Sequence, residues 1–318
     1  MIIITGGCGF IGSNLAHKLY ERGFSLLIVD NPVDGDKLLN ISRLPLYNFY
    51  NKHEFLSKIK EKSSEFDDCQ AIIHLGACSS TMEQDGNYLI TNNYHYSRHI
   101  LDFCKDKNIP FIYASSASVY GLGENGFSVQ DSPMNPINPY AYSKSLFDYH
   151  VLNALNHSHT FYPQIVGLRF FNVYGPNESH KKNMCSPVHA FYIKALQEKC
   201  ISLFDGHGTF SPTDYRRDFI HVADCIDIIM WFLERSHISG IFNCGTGSPV
   251  SFVDIANVIK DLMEHPVSIK YVPFPDRLRN KYQSFTCANL NCLESVNYKK
   301  KSRDIFSGIS SFIQSFSF

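Results

Sequence analysis

Short apolar runs recur through the first half of the chain, at Ile2–Ile4, Leu26–Val29, Ala71–Leu75 and Phe111–Ala114, with a later one at Ile165–Phe171. Runs this short read as buried strands. Between them, apolar residues repeat at helical spacing over roughly 11–22, 53–62, 86–107 and 141–155, which predicts helices. Strands alternating with helices make βαβ units around a parallel sheet, and right-handed crossovers wind it on both faces.

Beyond Asn172 the pattern loosens. Gly/Pro/Asn clusters recur at Gly175-Pro-Asn177, Asp205-Gly-His-Gly208 and Ser211-Pro-Thr213. They lengthen the loops. Helices are expected over 184–199, 221–235, 251–264 and 303–316. The last carries Ile305, Ile309, Phe312, Ile313 and Phe316 on one face, so it is expected to dock rather than fray. The expected fold is α/β: a Rossmann-type doubly wound parallel sheet with a smaller mixed α/β domain. No internal repeat or low-complexity linker is seen.

Composition excludes several classes. Among 318 residues, 29 Lys and Arg face 30 Asp and Glu, a net charge of −1 that argues against nucleic-acid binding. The longest uninterrupted apolar run, Ile228–Leu233, is far below the ~18 residues of a membrane span. No amphipathic basic helix suggests a membrane surface. A signal peptide is not expected, because Met1-Ile-Ile-Ile-Thr5 already reads as a strand with no basic region before it. The ten cysteines have no CxxC pair and read as reduced, mostly buried thiols, which points to the cytoplasm. Lys299-Lys-Lys301 reads as a solvated helix approach. The 14 histidines form no His-x-x-x-His pair with an acid and no Cys/His cluster, so no metal is expected.

Two places carry chemistry. Thr5-Gly-Gly-Cys-Gly-Phe-Ile-Gly12 follows the first strand and opens the first helix. There Gly6 permits a tight turn, Gly9 lets backbone approach a pyrophosphate, and Gly12 allows close packing of helix on strand. The helix N-terminus then faces the phosphates. Asp30 ends the second strand 18 residues past Gly12, where an acid meets an adenosine ribose. Asp30 favours a free 2′-hydroxyl, whereas Asn31, Lys37 and Lys52 suit a 2′-phosphate, so NADP and NAD both stay open.

The second is Tyr140-Ala-Tyr-Ser-Lys144, with Tyr140 and Lys144 at i and i+4 on one helix face. A tyrosine exchanging a proton with a sugar hydroxyl needs its phenol, pKa ~10 when unperturbed, brought down. A nearby ammonium and a cationic nicotinamide ring both favour the phenolate. Tyr142 lies two residues from Lys144 and points elsewhere. The fourth strand runs into Ser115-Ser-Ala-Ser-Val-Tyr-Gly121, and Ser116, 24 residues before Tyr140, is the candidate to orient the substrate oxygen. Ser115 and Ser118 are the alternatives, as strand-end caps.

Together these residues, with Leu75-Gly-Ala-Cys-Ser79 and Asn92, resemble the extended short-chain dehydrogenase/reductase superfamily along the whole chain. Four segments resemble more narrowly its ADP-heptose 6-epimerases: Cys78–Gly86, Arg169-Phe-Phe-Asn-Val-Tyr-Gly-Pro176 with Glu178 and His180-Lys181, Arg217-Asp-Phe219, and Pro273–Arg279 with Lys281-Tyr-Gln283.

The resemblance implies redox epimerisation of an ADP-heptose at C6″ through a transient ketone, with NADP tightly held, in lipopolysaccharide core synthesis. It implies Tyr140 and Lys181 as acid/base groups on opposite faces. Lys182 is the fallback. Phe10, Ile11, Asp30, Asn31, Lys37, Lys52, Leu75, Gly76, Ala77, Cys78, Ser79, Asn92, Lys144, Val173 and Lys181 would line the cofactor. Ser79, Ser116, Asn172, Asn183, Phe204, Asp205, Gly206, His207, Arg217 and Tyr282 would hold sugar and ADP. The cofactor domain would comprise 1–171 and about 218–247, the substrate domain about 172–217 and 248–318. A homo-oligomer is implied, a pentamer in the family.

Three departures stand out: Asn183 replaces a serine, His189 sits one position before the expected Ala190, and Gly208–Asp214 reads as a short insertion. A UDP-hexose 4-epimerase is the alternative. A 4,6-dehydratase needs an acid pair that Ser116-Ala-Ser118 does not offer, and a catalytically dead sensor would be expected to lose Tyr140 or Lys144.

Overall fold

The computed structural model describes residues 1–45, 48–156, 163–276 and 282–316. Arg277-Leu-Arg279 and Lys281 of the fourth segment therefore lie outside the described residues. By internal contacts the chain divides into two units, Met1–Val119 with Pro136–Phe170 and Ile226–Phe242, and Tyr120–Asn135 with Phe171–Cys225 and Asn243–Phe318.

The first unit is built on seven strands: β1 (Ile2–Thr5), β2 (Leu26–Asp30), β3 (Phe49–Asn51), β4 (Ala71–His74), β5 (Phe111–Ser116), β6 (Ile165–Phe170) and β11 (Gly240–Cys244). Their order is β11-β6-β5-β4-β1-β2-β3, and the pairs from β3 to β6 are all parallel. An order 3-2-1-4-5-6 is that of the doubly wound dinucleotide-binding sheet. All five strands expected from sequence are present. The pattern did not reveal β3 and β11, one a three-residue edge strand and the other a short run opening on glycine.

Helices α1 (Phe10–Glu21), α2 (Asp36–Leu39), α3 (Lys52–Lys60), α4 (Gly86–Leu89), α5 (Tyr96–Lys107), α6 (Pro139–Asn156) and most of α8 (Val222–Leu233) belong to this unit. The stretch expected as one helix over 86–107 is α4 and α5 joined by a π-helical segment, Ile90–His95. Phe55, Phe66, Phe103, Phe111, Tyr113 and Phe147 anchor the core beneath β1, β2, β4 and β5. Phe55, Phe66 and Phe111 are at most 1% exposed, so each contributes roughly 1.5–3 kcal/mol by burial.

The second unit holds three two-stranded pairings. β7 (Asn172–Tyr174) runs parallel to β10 (Phe219–His221), β9 (Arg216–Arg217) pairs antiparallel with β12 (Val250–Ser251), and β8 (Cys200–Phe204) runs parallel to β13 (Ser268–Val272). Its helices are α7 (Pro187–Glu198), α9 (Phe252–Leu262), α10 (Asn291–Ser295) and α11 (Ile305–Gln314). Caps set their starts: Ser186, Ser251 and Asp304 each accept a backbone N–H from one turn in. Helix α11 docks as expected, burying Ile309 and Phe312 against Tyr192 and Ile259 in this unit's core.

The expected partition places 120–135, 218–225 and 243–247 with the cofactor domain, whereas their contacts group them with the second unit. Asn243 explains part of this, because its Nδ2 donates to the carbonyls of Phe127 (2.6 Å) and Asn289 (2.9 Å). Phe127 also packs edge-on against Phe171, with centroids 5.9 Å apart.

Candidate active site

In an open parallel sheet, ligands bind beyond the carboxyl ends of the strands where the strand order reverses, here the loops after β1 and β4. Gly6 leaves β1 at φ +69°, and a Cβ on it would lie 2.7 Å from the Gly76 Cα. A Cβ on Gly12 would lie 2.2 Å from the Gly6 carbonyl oxygen. What demands glycine at 12 is therefore the loop's own carbonyl rather than the strand. Gly9 is the N-cap of α1, no side chain caps it, and the first turn carries no acid. Such an end, with Phe10 and Ile11 as its first residues, suits a phosphate.

Asp30 closes this cradle. Its Oδ2 accepts from the Cys8 N–H at 2.9 Å, and its Oδ1 accepts from the Asn31 N–H at 2.7 Å and from Lys37 Nζ. Asn31 Oδ1 accepts from Asn51 Nδ2 at 3.4 Å. Lys52 Nζ donates to Asn92 Oδ1 at 2.7 Å, and burial pulls this lysine below its ordinary range against the pull of Asp30.

The Leu75–Ser79 segment is held from both sides. Leu75 and Gly76 N–H groups donate to the Thr5 carbonyl and Oγ1. Asn93 clamps Cys78, accepting its N–H at 2.8 Å and donating to its carbonyl at 3.0 Å. Ala77 and Ser79 are exposed. Beneath the segment His74 Nδ1 meets Thr5 Oγ1 (2.6 Å) and its Nε2 meets Ser97 Oγ (2.8 Å). Burial holds this imidazole down at about 3, so it is neutral. Sequence reasoning missed both Asn93 and His74. The π-helical segment carrying Asn93 is a feature that often marks functional sites, but it has no sequence signature.

Ser116 ends β5, and Tyr140 and Lys144 lie one turn apart near the start of α6. The Ser116 side chain draws the Tyr140 phenol down. Ser118 donates to Ser116 Oγ from its N–H (3.2 Å) and its hydroxyl (2.9 Å), so it supports Ser116 rather than replacing it. Ser115 is buried without a partner for its Oγ. Tyr140 is 8% exposed and Tyr142 54%, separating the two tyrosines as their spacing predicts. Lys144 Nζ donates to the Ala114 carbonyl at 2.9 Å. Burial raises the Tyr140 phenol against the pull of Ser116, and burial lowers Lys144 to about 8. The chain by itself thus holds the phenol protonated, and the lowering expected from Lys144 is not found.

In the second unit, Asn172 and Val173 lie half-buried on β7, and Asn172 Oδ1 accepts from Thr286 Oγ1 at 3.5 Å. Arg217 on β9 is 8% exposed, with its guanidinium 5.2 Å from the Tyr282 ring centroid and its Nη1 lacking a hydrogen-bond partner. The neighbouring Asp218 accepts from the N–H groups of Thr246, Gly247 and Ala288 and from the Thr246 hydroxyl, all within 2.7–2.9 Å. Sequence reasoning missed that hub as well.

Phe204 and His207 both pack on Phe274, at 5.4 and 5.5 Å between centroids, and Tyr215 and Tyr282 complete the aromatic cluster. Asp205 Oδ1 accepts from the Gly206 N–H. The segment 208–214 closes on itself through a capping box between Ser211 and Asp214.

Lys181 and Lys182 differ. Lys181 is half-buried and donates its N–H to the Glu178 carbonyl at 2.9 Å. Lys182 is exposed and takes the left-handed φ of +50°. Asn183 is exposed. His189 is buried, contacts Ser179 Oγ through Nε2 at 3.1 Å and packs on Phe312.

A model of the NAD dependent epimerase/dehydratase family matches residues 2–245. The chain is 41% identical over 314 residues, 98% of its length and 96% of the relative's, to an ADP-L-glycero-D-manno-heptose-6-epimerase of Alkalilimnicola ehrlichii. It is 42% identical over 315 residues, 99% and 97%, to the enzyme of the same name from Brachyspira hyodysenteriae. Among solved structures it resembles the Helicobacter pylori ADP-L-glycero-D-manno-heptose-6-epimerase, at 26% identity and a TM-score of 0.82 over 99% of this chain and 96% of that one.

Proposed function

The chain belongs to the NAD dependent epimerase/dehydratase family, and on that premise we propose that it epimerises ADP-D-glycero-β-D-manno-heptose to the L-glycero form at C6″ without net oxidation. The observation that carries this reading is the placement of Ser116 at the carboxyl end of β5 and of Tyr140 and Lys144 one turn apart near the start of α6. The alternative UDP-hexose 4-epimerase is not favoured, given relatives at 41% and 42% identity that share the heptose enzyme's name.

A nicotinamide dinucleotide fits the cradle, since the N-terminus of α1 at Gly9 has no side-chain cap and no acid in its first turn, which suits a pyrophosphate. Gly6, Gly9, Gly12, Asp30, Asn31, Lys37, Lys52, Asn92 and the Leu75–Ser79 segment would hold it. When bound, this group supplies the acceptor and donor of a hydride. NADP is the preferred form: both Asp30 oxygens already accept hydrogen bonds, and Lys37 and Lys52 offer cations for a 2′-phosphate.

The hydroxyl at C6″ changes sides, so a proton must move on each face of that carbon. Tyr140 takes one face, its oxygen oriented by Ser116, while the Lys144 ammonium favours the phenolate and holds ribose hydroxyls. Lys181 takes the other. Arg217, whose buried Nη1 has no partner, suits the diphosphate. Asn172, Asn183, Tyr282 and the Phe204–His207 segment would hold the sugar and ADP, and Val173 would serve the cofactor. A cytoplasmic location accords with ten free cysteines, and a homo-oligomer in lipopolysaccharide heptose synthesis completes the reading.

The test is to incubate the purified protein with ADP-D-glycero-D-manno-heptose, add no cofactor, and follow C6″ by NMR. A mixture of both epimers without NADPH build-up is expected. No conversion by protein that retains its dinucleotide would overturn the heptose assignment.

A further inference from the structure

The loop that carries Lys181 leaves β7 at Gly175 and enters α7 at Ser186, and a buried carboxylate ties its two ends together. Glu178 is fully buried. Its Oε1 accepts from the Gly175 N–H at 3.3 Å and from the Ser186 hydroxyl at 2.8 Å, and its Oε2 accepts from the Ser186 N–H at 2.6 Å. Its main chain serves the same loop, the carbonyl accepting from the Lys181 N–H at 2.9 Å and from the Cys185 thiol at 3.1 Å. The Ser186 hydroxyl in turn caps α7 by accepting the His189 N–H at 3.1 Å. A buried carboxylate needs hydrogen-bond donors, and here they come from the two ends of one loop. The turn so enclosed is strained, since Lys182 holds a φ of +50° without being glycine. Such a backbone persists only where its surroundings over-determine it.

We propose that Glu178 is a positioning residue for the reaction: by closing the loop from Gly175 to Ser186 it fixes where Lys181 stands. This rests on the reading of Lys181 as the second acid/base group. Such a group must meet its proton at hydrogen-bond distance, and a misplacement of about 1 Å costs roughly 10²-fold. A lysine side chain has several free torsions of its own, so its reach is defined only if the backbone beneath it is held. Strand β7 supplies one fixed end and helix α7 the other. Glu178 joins them, and its carbonyl takes the Lys181 N–H directly. The contact of Ser179 with His189 ties the start of the loop to α7 a second time.

Two readings on the purified full chain test this. The first is amide hydrogen exchange, which needs no substrate. In Glu178→Ala the Lys181 N–H is expected to exchange about tenfold faster or more as its loop opens, with the amides of β8 and β13 unchanged. The second is turnover. Glu178→Ala should lower kcat by about 10-fold to 10²-fold with KM within a few-fold. In a Lys181→Ala background it should cost nothing further, because the two residues act as one unit. A merely structural role would cost the same factor in both backgrounds and overturn the proposal, as would wild-type exchange at Lys181. Should Glu178→Ala not fold, Glu178→Gln keeps the length and one oxygen acceptor, and both effects are expected there at about threefold. No change in that variant would equally overturn the proposal. Wild-type turnover in Lys181→Ala would instead remove that lysine from the proposed function, and the exchange result alone would then decide whether Glu178 positions it.

Discussion

Adjacent lysines show how far single residues could be read. Lys181 and Lys182 are equivalent in the sequence, but Lys181 is half-buried beside Glu178 while Lys182 is exposed with a left-handed backbone. Lys181→Ala and Tyr140→Phe are each expected to lower kcat by ~10²–10⁴-fold, with the circular dichroism spectrum and bound dinucleotide unchanged. Lys182→Ala should stay within a few-fold of wild type. Full turnover in Lys181→Ala would remove that lysine from the proposed mechanism. Spacing alone separated Tyr140 from Tyr142, because a helix carries i and i+4 on one face. Asn93, Asp148 and Asp218 were not legible, because their partners lie far away in sequence: Asp218 accepts from Gly247 and Ala288, and Asp148 from Tyr113 and Arg169.

At the scale of elements, strands buried on both faces announced themselves. All four β1 residues are buried, and so are those of β2, β4 and β6. The short, partly exposed edge strand β3 did not, since its pairing is what makes it a strand. Helix limits moved by a few residues wherever a cap decided them, as at Ser186 before α7, where Pro187 takes the first helical position. The glycine cradle is the element on which cofactor retention depends. Gly12→Ala would place a methyl 2.2 Å from the Gly6 carbonyl, and neither backbone segment is a flexible side-chain end that can swing away. The purified variant is expected to lose its bound dinucleotide, read by absorbance of the released cofactor. Wild-type retention would show that the loop can shift to admit the methyl.

For the whole molecule, the α/β class and the parallel sheet were legible, whereas the placement of Tyr120–Asn135 was not, because the Asn243 and Phe127 contacts that assign it are tertiary. Buried histidines set the acid response. His74 is held down at about 3 and His221 at about 4, both by burial, from an ordinary 6.5. The unfolded chain therefore binds protons that the folded chain refuses. Stability is full above pH 6.5 and falls between 6.5 and 4, by about 1.4 kcal/mol per pH unit for each histidine. Urea titrations at pH 7 and pH 5 check this, and equal midpoints would contradict it.

Redox epimerisation stands or falls on the fate of the hydrogen at C6″. Substrate carrying deuterium there, turned over in ordinary water, should yield an L-glycero product that keeps its deuterium, because the hydride leaves and returns without meeting solvent. Washout of the label would mean that C6″ loses a proton rather than a hydride, and the proposed roles of Tyr140 and Lys181 would fall with it.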